Sequence, residues 1–136
     1  MAMTGKPFPP SLGLGRLVGA ARCSIAGLGH ATRHEAAFRQ ELIATAVLTV
    51  IALALPVSSF EQLLLILSML FILVVELLNS AVEATVDRIS TDRHVLSGRA
   101  KDLASAAVAI ALLMSLLCWL AVAGPLFVAW LRSMST

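Results

Sequence analysis

The chain has 136 residues, of which 59% are hydrophobic and only 13% are charged, with a formal net charge of +2. This composition excludes an ordinary soluble domain and is typical of a membrane protein. No basic run is interleaved with aromatic residues, so nothing in the sequence indicates nucleic-acid binding.

Two segments precede the strongly apolar part of the chain. Residues 1–11 contain three prolines and are predicted to form a flexible tail. Residues 12–34 carry apolar side chains at helical spacing, which predicts an amphipathic helix that lies on the membrane surface. The apolar positions of this predicted surface helix are Leu17, Val18, Ala21, Ile25 and Leu28.

Three apolar blocks follow, and each is predicted to cross the membrane as an α-helix. The first covers about residues 38–57, the second about 60–89 and the third about 98–130. The third block exceeds the roughly 20 residues that a bilayer requires, and the second reaches that length. With their connections they form a predicted three-helix domain over residues 35–132, and Ser97 is the expected N-cap of the third helix.

A cleaved signal peptide is the alternative interpretation of the first block, because Ala52, Leu53 and Ala54 resemble a cleavage site. The segment before the block is long and includes Glu35 and Glu41, whereas the corresponding part of a signal peptide is short and basic. We therefore expect a membrane span.

The basic residues are distributed unequally around the three predicted spans. Nine of the ten lie before the first span or between the second and third, and only Arg132 lies near the C-terminus. The positive-inside rule therefore predicts a cytoplasmic N-terminus and a C-terminus on the outer side.

Polar residues form a stripe on the second predicted span. Glu76, Asn79, Glu83 and Asp87 follow one another at i, i+3, i+7 and i+11, which puts them on one side of a helix. Carboxylates are costly at membrane depth and usually have a functional role there. Numbered from the predicted surface helix (α1), the second span, about residues 60–89, is α3. We call these four residues the α3 stripe, and they are a candidate active site.

Other polar groups should meet the α3 stripe at the cytoplasmic end of the bundle. Glu35 precedes the first span, and residues 97–99 with Lys101 and Asp102 begin the third. Carboxylates can bind a divalent cation, and basic groups at a helix start suit a phosphate. A further carboxylate can accept a proton from a hydroxyl, so the set contains the parts that phosphoryl transfer needs.

Each of these residues also has a structural interpretation that the sequence leaves open. Asp87 could be a solvated helix cap, and Lys101 with Asp102 could anchor the helix at the membrane interface. Asn79 could stabilise a contact between helices. His94 fits a loop residue better than a metal ligand.

Three motifs resemble the signatures of the prokaryotic diacylglycerol kinase family. They are EAAFRQE at residues 35–41, VELLNSAVEATVDR at 75–88 and LSGRAKD at 96–102. The resemblance implies an inner-membrane, homotrimeric kinase with active sites shared between subunits. Such an enzyme uses Mg²⁺ and ATP to phosphorylate diacylglycerol to phosphatidic acid at the cytoplasmic face.

The same resemblance implies individual residue roles. Glu76 would be the general base, with Asn79, Lys101 and Asp102 as further catalytic residues, and the implied metal ligands are Glu35 and Glu83. The implied nucleotide-binding residues are Arg16, Ser24, Glu35, Glu83, Asp87, His94, Gly98, Lys101 and Asp102. The implied lipid-binding residues are Glu76, Ser105 and Arg16.

The N-terminal helix departs from the family pattern, because Cys23 stands where relatives carry an aromatic residue and Gly19 and Ala26 replace basic ones. Three alternative functions stay open. The first is phosphorylation of undecaprenol by the same chemistry. The second is a bundle that conducts protons or ions through Glu76 and Glu83. The third is a membrane adaptor without catalytic activity.

Overall fold

A computed structural model describes residues 13–89 and 94–135 of the chain. It contains four α-helices: α1 (Leu14–His34), α2 (Ala36–Ala54), α3 (Ser59–Ile89) and α4 (Val95–Met134). The described residues are otherwise turns and helix ends, so the predicted all-α fold is confirmed for this part of the chain. The predicted flexible tail lies outside the described residues.

Helices α2, α3 and α4 are each long and apolar enough to cross a membrane, as the sequence predicted. With 31 residues in α3 and 40 in α4, these helices are about 46 and 60 Å long at 1.5 Å per residue. The hydrocarbon core of a bilayer is only about 30 Å thick. Both helices therefore extend beyond it, and their polar ends can lie in the interface or in water.

The turn between α2 and α3 is built from a capping box. Glu61 Oε2 accepts hydrogen bonds from the Ser58 N–H at 2.8 Å and from Ser58 Oγ at 2.6 Å, and the Glu61 N–H donates to Ser58 Oγ at 3.3 Å. Gln62 Nε2 also donates to the Leu53 carbonyl at 3.3 Å. These bonds hold the end of α2 against the start of α3, and α2 ends at Ala54 rather than near residue 57.

The predicted N-cap of the last helix is wrong. Helix α4 begins at Val95, and its N-cap is His94, whose Nδ1 accepts a hydrogen bond from the Leu96 N–H at 3.2 Å. The Gly98 N–H donates to the His94 carbonyl at 3.0 Å, so Ser97 already lies inside the first turn. An imidazole can cap a helix as an acceptor, and this leaves the serine hydroxyl without a capping role.

Helix α3 is the centre of the bundle because it packs against both α2 and α4. Near the α2–α3 turn, the side chains of Ala52, Leu65 and Val122 are buried together, and Leu65 is 0% exposed. At the other end, Phe38 of α2 and Leu73 of α3 pack with Ala31 of α1. The two apolar clusters fix the antiparallel register of α2 and α3.

Helix α1 joins the bundle through its C-terminal end and contacts α2. Ala31 is its one buried residue, whereas Leu14, Leu17 and Ile25 are largely exposed in the single chain. The last two turns of α1 therefore pack onto the bundle, and the apolar side chains before them are available to lipid or to another subunit.

Candidate functional site

The α3 stripe changes from buried to exposed along the helix. Glu76 is only 5% exposed, whereas Asn79 and Glu83 are half-buried and Asp87 is exposed. This gradient follows from the length of α3, because its last turns extend past the neighbouring part of α2. The deepest acid is therefore shielded from water, while the outermost can meet a soluble ligand.

Glu35 lies at the corner between α1 and α2. It is the only residue between the two helices, and its extended backbone (φ −99°, ψ 113°) interrupts the helical path. Arg39 Nη1 donates to the Arg33 carbonyl at 3.1 Å, which satisfies one of the last carbonyl groups of α1. The Glu35 carboxylate interacts electrostatically with Glu76 of α3. It has no cationic partner among the described residues.

Three other carboxylates interact electrostatically with Glu76. Its electrostatic neighbours are Glu35 from the helix corner and Glu83 from its own helix, and Glu41 of α2 interacts with it as well. Glu41 is not among the site residues predicted from the sequence. Its only sequence signal is its position at the end of the EAAFRQE motif, because α2 is apolar on all sides beyond it.

Asp87 and Lys101 form an ion pair between α3 and α4. Lys101 Nζ lies 2.5 Å from Asp87 Oδ1, and the two side chains are 39% and 62% exposed, respectively. Asp87 is therefore not an isolated helix cap, because it holds the lysine at the end of the α3 stripe. A positive charge in this position can face an anionic ligand.

Asn79 links two parts of the α3 stripe but leaves one of its own atoms unsatisfied. Its Nδ2 donates to Glu83 Oε1 at 3.4 Å. Its Oδ1 is buried and has no hydrogen-bond partner within residues 13–89 and 94–135. Buried acceptors are normally paired, so this oxygen marks a place where a ligand, water or neighbouring subunit can donate a hydrogen bond.

A cavity of about 590 Å³ lies between α1 and α3, next to this group of acids. Glu35 supplies its most polar wall, and Ser24 and Ser80 add hydroxyl groups from the two helices. The remaining lining is mostly apolar and includes Leu28, His30, Ala31, Leu77, Ala81 and Ala84. Its combination of apolar walls and one carboxylate suits an amphiphilic molecule.

Four predicted ligand-binding residues lie on α1 or towards the start of α4. Arg16 borders a separate recess at the start of α1, about 27 Å along the helix from His34 at 1.5 Å per residue. His94 caps α4, and Gly98 follows in its first turn. Ser105 is exposed one turn beyond Lys101. The roles assigned to these four residues stay predictions, as does that of Asp102.

The acids provide two candidate ligands for Mg²⁺ rather than a complete cage. Within the described residues, no three histidine, cysteine, aspartate or glutamate side chains are close enough to hold an ion by themselves. Glu35 has no cationic partner there, and Glu83 accepts only the long bond from Asn79. This arrangement fits Mg²⁺, which is commonly held by one or two carboxylates together with waters and substrate phosphates.

Comparison with known proteins shows the family of this chain. The sequence profile of the prokaryotic diacylglycerol kinase family matches residues 22–123, which include all of the α3 stripe. The chain belongs to this family. The matched segment also includes Glu35, Glu41 and Lys101, whereas Arg16 precedes it.

Members of the family from several bacteria are close relatives of this chain. A diacylglycerol kinase from Escherichia coli K12 is 49% identical over 107 residues, which cover 79% of this chain and 88% of the relative. One from Pseudomonas aeruginosa is 48% identical over 117 residues, covering 86% and 95%, respectively. One from Haemophilus influenzae is 45% identical over 107 residues, covering 79% and 91%.

Proposed function

We propose that this protein is a diacylglycerol kinase that transfers the γ-phosphoryl group of ATP to the hydroxyl of diacylglycerol. The observation that carries the proposal is the group of acids around Glu76, which lies within the segment shared with the diacylglycerol kinase family. Burying a carboxylate on a membrane-crossing helix costs free energy, and Glu76 is only 5% exposed. Such residues usually have a functional role.

In this mechanism Glu76 accepts the proton of the lipid hydroxyl as the oxygen attacks phosphorus. Its burial supports this role, because a general base for a lipid must reach the apolar side of the interface. Lys101, held by Asp87, stabilises negative charge on the transferring phosphoryl group. Asn79 positions Glu83 through the bond between Nδ2 and Oε1.

Glu35 and Glu83 would hold Mg²⁺ together with the nucleotide phosphates. When bound, the ion neutralises charge on the phosphates. The nucleotide would meet the exposed end of the α3 stripe, where Asp87, Lys101 and Asp102 are accessible. The cavity between α1 and α3 is the candidate route by which the diacylglycerol headgroup reaches Glu76.

The proposal includes an arrangement in the membrane. We infer that the protein lies in the bacterial inner membrane, with the N-terminus and the acids on the cytoplasmic side and the C-terminus outside. Helix α1 would lie on the membrane surface with its exposed apolar side chains in lipid. A homotrimer would bring Arg16 of one subunit within reach of another subunit's site, which one chain cannot do.

The test is phosphate transfer from labelled ATP to diacylglycerol by the purified protein in detergent. Wild type should transfer phosphate in the presence of Mg²⁺, and Glu76→Gln and Glu83→Gln should lose activity. Glu61→Gln is the matched control on the same helix, because glutamine is also compatible with a capping box. Turnover like that of wild type in both Glu76→Gln and Glu83→Gln would refute the assignment.

Three further measurements separate the alternative functions. Offering undecaprenol and diacylglycerol in parallel identifies the acceptor, and we expect diacylglycerol to be preferred. An ion-conducting bundle would instead give proton flux into liposomes without ATP, and an adaptor would tolerate alanine throughout the α3 stripe. The kinase mechanism gives the ion pair between Asp87 and Lys101 a function, whereas an ion-conducting bundle and an adaptor do not.

A further inference from the structure

Glu41 is a carboxylate that the proposed mechanism does not use. It lies in the second turn of α2, and its Oε2 is buried without a hydrogen-bond partner among the described residues. Buried carboxylate oxygens are almost always paired, so this one calls for an explanation. A proton on the carboxyl group or a donor from a bound molecule would satisfy it.

The register of α2 against α3 puts Glu41 opposite the proposed base. Phe38 packs with Leu73 and Leu77, and Leu48 packs with Met69 and Ile72. Because the two helices are antiparallel, a residue between 38 and 48 faces the segment between 69 and 77. Glu41 is accordingly an electrostatic neighbour of Glu76.

Neither carboxyl group of this pair has a cationic partner among the described residues. Glu76 also interacts with Glu35 at the helix corner and with Glu83 on α3. The one ion pair among the described residues joins Lys101 to Asp87, and Arg39 donates a hydrogen bond to the Arg33 carbonyl. Two facing carboxyl groups in a water-poor site are most stable when they share a proton.

We propose that Glu41 takes up the proton that Glu76 removes from the acceptor hydroxyl, and this inference rests on the proposed kinase function. The O–H bond of the lipid breaks, its electron pair forms the new O–P bond, and the P–O bond to ADP breaks with its electrons left on ADP. Glu76 takes the hydroxyl proton, Glu41 releases to water the proton that the pair already held, and the new proton then moves from Glu76 to Glu41. Glu41 acts through Glu76 and is a positioning residue.

The first test compares Glu41→Gln with wild type under saturating Mg-ATP and diacylglycerol. Glutamine keeps the shape of the side chain but cannot accept the proton. We expect kcat to fall by about 100-fold, at the lower end of the usual contribution of a proton-transfer group. The KM values for ATP and diacylglycerol should stay within about twofold, because Glu41 contacts neither substrate in this account.

Thr45→Val is the matched control. Thr45 lies one turn further along the same side of α2, is 5% exposed, and also has a buried oxygen without a partner among the described residues. It has no carboxylate, so its replacement should leave kcat within about twofold of wild type, as expected for a residue outside the transfer path.

A second variant separates proton transfer from packing. Glu41→Ala opens space for a small carboxylic acid, and added formate should restore kcat several-fold in this variant and leave wild type unchanged. A Glu41→Gln enzyme with wild-type kcat, or a Glu41→Ala defect that formate does not relieve, would overturn the role of Glu41. A wild-type protein without kinase activity would overturn the proposed function itself, and this inference with it.

Discussion

The two ends of the helix bundle differ in how completely their polar groups are paired. At the α2–α3 turn, Ser58, Glu61 and Gln62 are all hydrogen-bonded. We call the opposite end, defined by Glu35, Glu41, the α3 stripe and Lys101, the carboxylate end. There Glu41 and Asn79 each have a buried oxygen without a partner in the described part of the chain.

The turn end of the bundle contributes to stability, and the carboxylate end is arranged for function. The turn end joins two helices with satisfied hydrogen bonds, and tight apolar packing around Leu65 continues from it. The carboxylate end gathers like charges that repel one another, an arrangement that makes sense if substrates and a cation complete it. Thr45 Oγ1 and Trp119 Nε1 are exceptions, because each is buried without a partner in the described structure and lies outside the carboxylate end.

The largest effect that would test this contrast is expected for Glu83→Gln. Loss of one candidate Mg²⁺ ligand should reduce kcat/KM for Mg-ATP by about 100-fold or more, as for other losses of charge stabilisation at a reacting phosphate. The measurement is a titration with Mg²⁺ at fixed ATP, in which the variant should need more Mg²⁺ than wild type. An unchanged Mg²⁺ dependence would remove Glu83 from the metal site.

Lys101→Met should affect activity strongly and stability weakly. We expect kcat to fall by about 100-fold, because the positive charge facing the phosphoryl group is lost. The free energy of unfolding should change by less than about 1 kcal/mol, since exposed ion pairs contribute little. Kinetics and thermal unfolding in the same detergent check both values, and a large loss of stability with normal kcat would assign the pair a structural role.

Leu65→Ala should have the reverse effect. Leu65 is 0% exposed and packs with Ala52 and Val122, so its truncation leaves a cavity. We expect a loss of roughly 2 kcal/mol or more in the free energy of unfolding, seen as a lower Tm, with kcat little changed below the transition. A fall in kcat at an unchanged Tm would connect this end to the chemistry.

The smallest effect is expected for Ser115→Ala. Ser115 Oγ lies 3.1 Å from Ser68 Oγ and 3.1 Å from Met69 Sδ, so it links α4 to α3 in the apolar part of the bundle. Hydrogen bonds between membrane helices contribute on average about 0.6 kcal/mol. The Tm should fall slightly with no change in activity, whereas a loss like that of Leu65→Ala would show that this contact organises the bundle.

The sequence predicted the helices well because their apolar segments are long and separated by recognisable turns. The last two spans were expected near residues 60–89 and 98–130, and α3 and α4 cover Ser59–Ile89 and Val95–Met134. The start of α4 was missed because serine is a commoner cap than histidine. The capping box of α3 was overlooked, although Ser58 and Glu61 have its spacing.

The site was predicted less completely than the fold. The α3 stripe followed from helical spacing alone, but the pairing of Asp87 with Lys101 depends on how far α4 extends alongside α3. Glu41 was missed because an apolar helix does not reveal which of its sides faces a neighbour. Arg16 was assigned to the site by family resemblance, and within one chain α1 holds it far from the acids.

The most direct test of this account measures phosphate transfer to diacylglycerol and thermal unfolding on Glu76→Gln and Leu65→Ala side by side. Glu76→Gln should lose transfer and keep a Tm near that of wild type, whereas Leu65→Ala should keep transfer at low temperature and melt earlier. If Glu76→Gln transferred phosphate normally, or if Leu65→Ala lost transfer while fully folded, the division between a chemical end and a structural end would be contradicted.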